Sequence, residues 1–177
     1  MISNTKRWKY LLWFCIGLAL ASGFCMKWLE PGFTVDGKLF TILELEFHTD
    51  IVHVDGLFRH MDPFVREMVH QHLVYDYAFM AGVYPGIAAL CMLAADRFSS
   101  RGWKNVFFIL AIFQLFAWGF DIAENYYLDK WLHAGKVSYQ FRFFHLIVYS
   151  KWILALVGFF FAIAVIIFKR KTHRAPE

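Results

Sequence analysis

Asp121, Glu124 and Asn125 place two carboxylates and a carboxamide inside the apolar run from Trp118 to Leu128. Their i, i+3, i+4 spacing stacks all three on one face of a helix. A charged side chain at mid-bilayer costs about 3 kcal/mol on insertion scales, so ionisable residues in such runs face a bundle interior and mark functional sites. Two carboxylates held together in a low dielectric can divide the roles of proton donor and proton acceptor, with Asn125 as a neighbouring hydrogen-bond donor. Asp121 and Glu124 are therefore the candidate acid and base. The pattern identifies a place and a chemistry of protons, but no substrate.

The elements that must position this group are membrane spans. The 177-residue chain is 59% hydrophobic and 20% aromatic, and its mean hydropathy of +0.46 is far too high for an ordinary soluble domain. Apolar runs predict four transmembrane helices, at 10–28, 73–95, 103–128 and 143–168, each close to the ~20 residues that a span requires. No Gly/Ser-rich or Pro-rich linker divides them, so one domain covering 1–177 is expected. The fold class is an all-α membrane protein: a four-transmembrane-helix bundle with a long first extracytoplasmic loop, about 29–72. Lys6 and Arg7 ahead of the first run and Ala19-Leu20-Ala21 within it mimic a secretory signal, but the bulk of Trp13, Phe14 and Phe24 argues for a retained span.

Within the first loop Leu43, Leu45 and Phe47 alternate with Glu44, Glu46 and His48, a period-two pattern that suggests a short amphipathic element on the membrane. Asp62-Pro63 has the form of an N-cap followed by a first-turn proline, and the helix it starts can run straight into the second span. The formal net charge of +4 does not point to nucleic acid. Lys6, Arg7, Lys9, Lys169, Arg170, Lys171 and Arg174 flank apolar runs and act as topology signals and anionic-lipid contacts. With the basic link 97–104, they predict a bacterial inner-membrane, multi-pass protein with both termini cytoplasmic, although Lys130, Lys136 and Arg142 in the last link pull the other way. Trp8, Trp28, Trp103 and Trp131 fall where an aromatic belt is expected. Cys15, Cys25 and Cys91 form no disulfide or metal spacing.

Topology then gives depth. Asp121 lies about 10 Å inside Leu128 at the helical rise, Asp76 opens the second span, and His145 lies in the first turns of the fourth. All belong to the outer half of the bilayer. By helical phase His72 pairs with Asp76, Gln114 with Asp121, and Arg142 with His145 and Tyr149, whereas Lys151 points opposite to Arg142 and falls outside the cluster. The predicted pocket is lined by Asp76, Asp121, Glu124, Asn125 and His145, with Tyr84 deeper and Glu44 or Glu46 as a lid. If it held a metal, the ligands would come from His72, Asp76, Asp121, Glu124 and His145, a donor set suited to Zn, Mn or non-haem Fe. Glu67-Met68-Val69-His70 supplies a single Glu-x-x-His, where carboxylate-bridged sites in bundles use two copies and two further Glu. It reads as a solvated pair. No cofactor is expected, since haem would find only His145 clearly within a span.

Tyr75-Asp76-Tyr77-Ala78-Phe79 with Tyr84, the Glu44-Leu45-Glu46-Phe47 segment and Asp121-Ile122-Ala123-Glu124-Asn125 resemble a functionally uncharacterised group of small bacterial four-span membrane proteins. In that group an acidic residue opening span two precedes a Phe and a Tyr, and span three ends in Asp-x-x-Glu-Asn. The resemblance covers Thr41 to Leu128 and implies architecture and the weight of the cluster, without an activity. The layout also looks like that of sterol isomerases and sigma-2-type receptors. The likeness stops at layout, because span one here holds no acidic residue.

Three functions follow as expectations. The bundle binds an amphiphilic lipid or small hydrophobic molecule from the outer leaflet, with acid-base chemistry on it; or it is a non-catalytic transport or interaction protein whose polar face pairs helices in an oligomer; or it holds a His/carboxylate metal site. Membrane lipids are the partners common to all three.

Overall fold

The computed structural model describes residues 4–169, so the basic tail with Arg170, Lys171 and Arg174 lies outside the described residues. The chain runs as α1 (Asn4–Leu29), a 3-10 turn (Glu30–Gly32), a hairpin of β1 (Thr34–Val35) and β2 (Lys38–Leu39), then α2 (Ile42–Phe47), α3 (Ile51–His60), α4 (Pro63–Ala95), α5 (Arg101–Ala134) and α6 (Phe141–Phe168). In the hairpin Thr34 pairs with Leu39 and Val35 with Lys38. Among the described residues four helices, α1, α4, α5 and α6, are long and apolar enough to cross a membrane.

These helices outrun the predicted spans because polar residues end the hydrocarbon-matched run without ending the helix. The 33 residues of α4 span about 50 Å against a hydrocarbon core of about 30 Å, so the helix projects from the bilayer. Its start is the predicted one: the Asp62 side chain accepts from the Val65 N–H at 2.8 Å and Pro63 occupies the first turn. Polar Asp129 and Lys130 likewise leave α5 helical as far as Ala134.

The packing is centred on α4. Helices α1, α5 and α6 all lie against it and α5 also packs on α6, while α1 and α6 flank α4 and barely touch each other. The approach of α1 depends on Gly82. A Cβ there would sit 2.7 Å from the Ala19 nitrogen and 2.8 Å from the Cys15 carbonyl oxygen, closer than any side chain allows, so glycine lets two backbones meet as small residues do in membrane interfaces. On the other side of the bundle Gln114 of α5 donates to the carbonyls of Leu110 at 3.2 Å and Leu154 at 3.1 Å, tying α5 to α6 across the space left by Gly158.

At the far end of the bundle, the hairpin, α2 and α3 fold back as a cap. Phe33, Phe40, Leu45, Val54 and Phe58 are buried against Val65, Val69, Trp131, Phe141 and Phe144. Trp131, expected in an aromatic belt, is instead only 1% exposed. Its ring lies 4.9 Å from that of Phe144, and its indole N–H donates to Ser138 at 3.1 Å. Trp28 and Trp103, by contrast, are exposed. The helix continues past the span, and the cap covers it there. At the opposite end, Thr5 donates to Asp96 at 2.8 Å and Arg97 to the Lys169 carbonyl at 3.2 Å, which brings the start of α1, the α4–α5 link and the end of α6 together.

Two outcomes follow from this packing. Gly82→Ala should push α1 off α4 and lower stability by about 1–3 kcal/mol, the usual range for overpacking, read as thermal unfolding in detergent. Asp55 of α3 accepts from the Val137 N–H at 2.7 Å and from Arg59. Burial works against its ionisation, but the Arg59 guanidinium and the Val137 N–H outweigh it and hold its carboxyl below the usual carboxylate range. The contribution is present above the unfolded pKa and lost as pH falls through the lower folded value. The melting temperature of Asp55→Asn should therefore fall less steeply than the parent's below about pH 4.

Candidate functional site

Helices α2, α4 and α5 converge on Lys151 of α6. Its ammonium nitrogen donates to Asp121 Oδ1 at 2.6 Å and lies 2.7 Å from Glu124 Oε2 and 3.5 Å from Glu46 Oε2. Lys151, Asp121, Glu124 and Glu46 are all buried. Tyr84 of α4 donates its hydroxyl to the other Asp121 oxygen at 2.8 Å, and Trp152 donates to Glu46 at 3.3 Å. Next to this group Asn125 donates to Asp76 Oδ2 at 2.8 Å. The ion pair with Lys151 is the contact that Glu124 makes, and no other polar partner reaches its oxygens among the described residues. Three carboxylates thus face one ammonium, with a fourth, Asp76, on the same side.

Asp121, Glu124 and Asn125 are all buried on one face of α5, with Gln114 two turns before, but of the three expected to line the pocket only Asp121 reaches the cavity beside them. Asp76 and Tyr84 join this group from α4. The position of Lys151 reverses the expectation. Helical phase counted from Arg142 and His145 turns Lys151 outward, but the buried stripe of α6 runs through Phe144, Val148, Lys151, Gly158 and Ala162, and Arg142 lies on the exposed side. The small residues at 158 and 162, in register with Lys151 at i+7 and i+11, were the available signal for the inward face. His145 is correspondingly not in the cluster. Its ring nitrogens lie 3.0 Å from the Phe141 carbonyl oxygen and 3.1 Å from that of His48, so it ties α6 to the segment between α2 and α3.

The choice between Glu44 and Glu46 is decided by secondary structure. The period-two pattern suggested that both glutamates share a face, but Ile42–Phe47 is a helix, N-capped by Thr41. Residues two apart on a helix point to nearly opposite sides. Glu46 turns inward to Lys151, and Glu44 turns out to His53 at 2.7 Å.

A cavity of about 370 Å³ opens onto this cluster. Its polar floor is Asp76, Asp121 and Lys151; Phe79, Val83, Trp152 and Ala155 form apolar walls, with Ile42 and Leu43 of α2 above. His72 also lines it, 2% exposed, and its Nδ1 has no partner among the described residues. Val83 is shared with a second, almost wholly apolar groove of about 420 Å³ that follows α4 between α1 and α6. The gap between those two helices therefore runs from the polar floor along the bundle.

The suggested metal ligands His72, Asp76, Asp121, Glu124 and His145 do not come together as a coordination set. Asp121 and Glu124 face Lys151, and His145 lies elsewhere. No protein-family model, curated protein or solved structure matches the chain.

Taking one partner from a buried ion cluster strands the others, at about 3–5 kcal/mol. Lys151→Met, which leaves Glu46, Asp121 and Glu124 facing one another, should cost that much in thermal unfolding. Glu124→Gln keeps shape and reduces the negative excess, and should melt close to the parent.

Proposed function

We propose that the protein binds an amphiphilic lipid or small hydrophobic molecule, entering laterally from the membrane between α1 and α6. The supporting observation is the cavity itself: apolar walls that continue into the apolar groove, over a floor of buried charged groups. Ligand sites of this kind are concave and mostly apolar, with a few convergent polar groups to fix orientation. The excess of carboxylate over ammonium favours a head that carries positive charge or donates hydrogen bonds, and His72 Nδ1 offers one further partner. The tail then follows α4 along the groove past Val83 toward Gly86 and Leu90.

The same floor supports acid-base chemistry on the bound head. Tyr84, Asp121 and Lys151 form a continuous hydrogen-bonded chain, and Asp121 and Lys151 both reach the cavity. A proton delivered at one end can be relayed without water entering the site. The enclosure of the cluster within a single chain supports this reading over one in which the polar face pairs helices between copies. In a bacterial inner membrane with both termini in the cytoplasm, the cavity opens to the outer leaflet. The gathering of Lys6, Arg7, Arg97 and Arg101 toward the opposite end of the bundle supports that orientation.

The test uses a dansyl-labelled long-chain alkylamine and its chain-matched alkylsulfonate, titrated into detergent-solubilised protein with energy transfer from tryptophan as readout. The amine should bind saturably and at least about tenfold more tightly than the sulfonate, a difference of about 1.4 kcal/mol. Ala155→Phe, which fills the cavity, should abolish the saturable phase while the melting temperature stays near the parent's. Equal binding of both probes, or binding untouched by Ala155→Phe, would overturn the proposal.

A further inference from the structure

Beyond the apolar run, α5 continues for nearly two turns and carries Asp129 and His133 at i, i+4 on one face. Helix α4 presents His70 to that face. Asp129 Oδ1 lies 2.9 Å from His70 Nδ1 and 3.4 Å from His133 Nδ1, and the two imidazoles meet edge to face with ring centroids 5.6 Å apart. One ligand atom from each residue falls within 4.8 Å of the other two. A tetrahedral ion with bonds of about 2.1 Å to nitrogen and oxygen separates its donors by about 3.4 Å, so these side chains stand near coordinating separation.

We propose that His70, Asp129 and His133 bind a divalent transition metal of the Zn²⁺ class, clipping the projecting ends of α4 and α5 together. Two imidazoles and a carboxylate form a donor set that suits Zn²⁺. Asp129 and His133 lie in the last two turns of α5, where the negative end of the helix dipole favours a cation. A neighbouring cavity of about 380 Å³, lined by Glu67, His70 and His133, leaves the fourth position open to water or to Glu67, one turn before His70 and now accepting from Gln71 at 3.1 Å. The lone Glu-x-x-His of α4 thus acquires its complement from another helix. Arg66 lines the same cavity, but its guanidinium is directed to the carbonyls of Met61, Phe58 and Leu132, so the carboxylate of Asp129 faces the two imidazoles and not a competing guanidinium. The site is distinct from the Lys151 cluster and does not depend on what the membrane cavity binds.

Tag-free protein in detergent at neutral pH is titrated with ZnCl₂ by calorimetry, and with Co²⁺ by visible absorption. One Zn²⁺ per chain should bind, Co²⁺ should give the intense visible bands of a tetrahedral site, and Zn²⁺ should raise the melting temperature saturably. His133 is exposed and Asp129→Asn conserves shape, so His133→Ala and Asp129→Asn should melt like the parent without metal. Each should weaken Zn²⁺ more than the roughly 10–100-fold lost with an outer-shell partner. His53→Ala, which alters the separate Glu44–His53 pair, should bind as the parent does. Lack of saturable Zn²⁺ binding by the parent, or equal binding by the parent, His133→Ala and Asp129→Asn, would overturn the proposal.

Discussion

A single ammonium group, that of Lys151, holds the interior of this bundle together. A buried ion pays several kcal/mol in lost hydration, and only close opposite charges with good geometry compensate it. Here the compensation comes from two elements: Asp121 and Glu124 of α5 and Glu46 of α2 surround the nitrogen that α6 supplies. Tyr84 extends the contact to α4 through Asp121. The rotation of α6, the seating of α2 and the face that α5 turns inward are thereby coupled. None can change without exposing a charge to hydrocarbon.

That coupling explains why the cap is folded as it is. A six-residue helix such as α2 has little stability of its own, and it is held by the burial of Ile42 and Leu45 together with the contacts of Glu46 to Lys151 and Trp152. The cap in turn closes the cluster from above. On the membrane side, among the described residues, α1 and α6 each pack on α4 and barely touch each other, which leaves a lateral gap. A polar floor under a protein roof, beside an apolar lateral gap, is the geometry from which the proposed recognition of an amphiphile follows.

The four spans were legible because a bilayer demands about 20 apolar residues per helix, a constraint local to each run. The inward face of α5 was also legible: two carboxylates and an amide on one face have no favourable direction in lipid except toward other helices. The face of α6 is not legible from polarity. Arg142 and His145 sit near a helix start, where the cap and the interface tolerate polar groups, so their direction says little about the core. The glycine and alanine at 158 and 162 mark the true inward stripe. The burial of Trp131 is illegible for a related reason, since it depends on a cap formed by residues far away in sequence.

Composition, span length and helical phase by themselves determined that this is a four-helix membrane protein with an acidic face in its third span. Those properties depend on the solvent and on spacing along one helix. Tertiary structure alone decided which cation meets the acids, which of Glu44 and Glu46 turns inward, and that His70 stands opposite Asp129 and His133. Each of these is a meeting between separate helices, fixed by the rotation of one against another. That rotation is set by close contacts such as Gly82 on Ala19 and Gln114 across Gly158, which involve partners that no periodicity within a single helix can reveal.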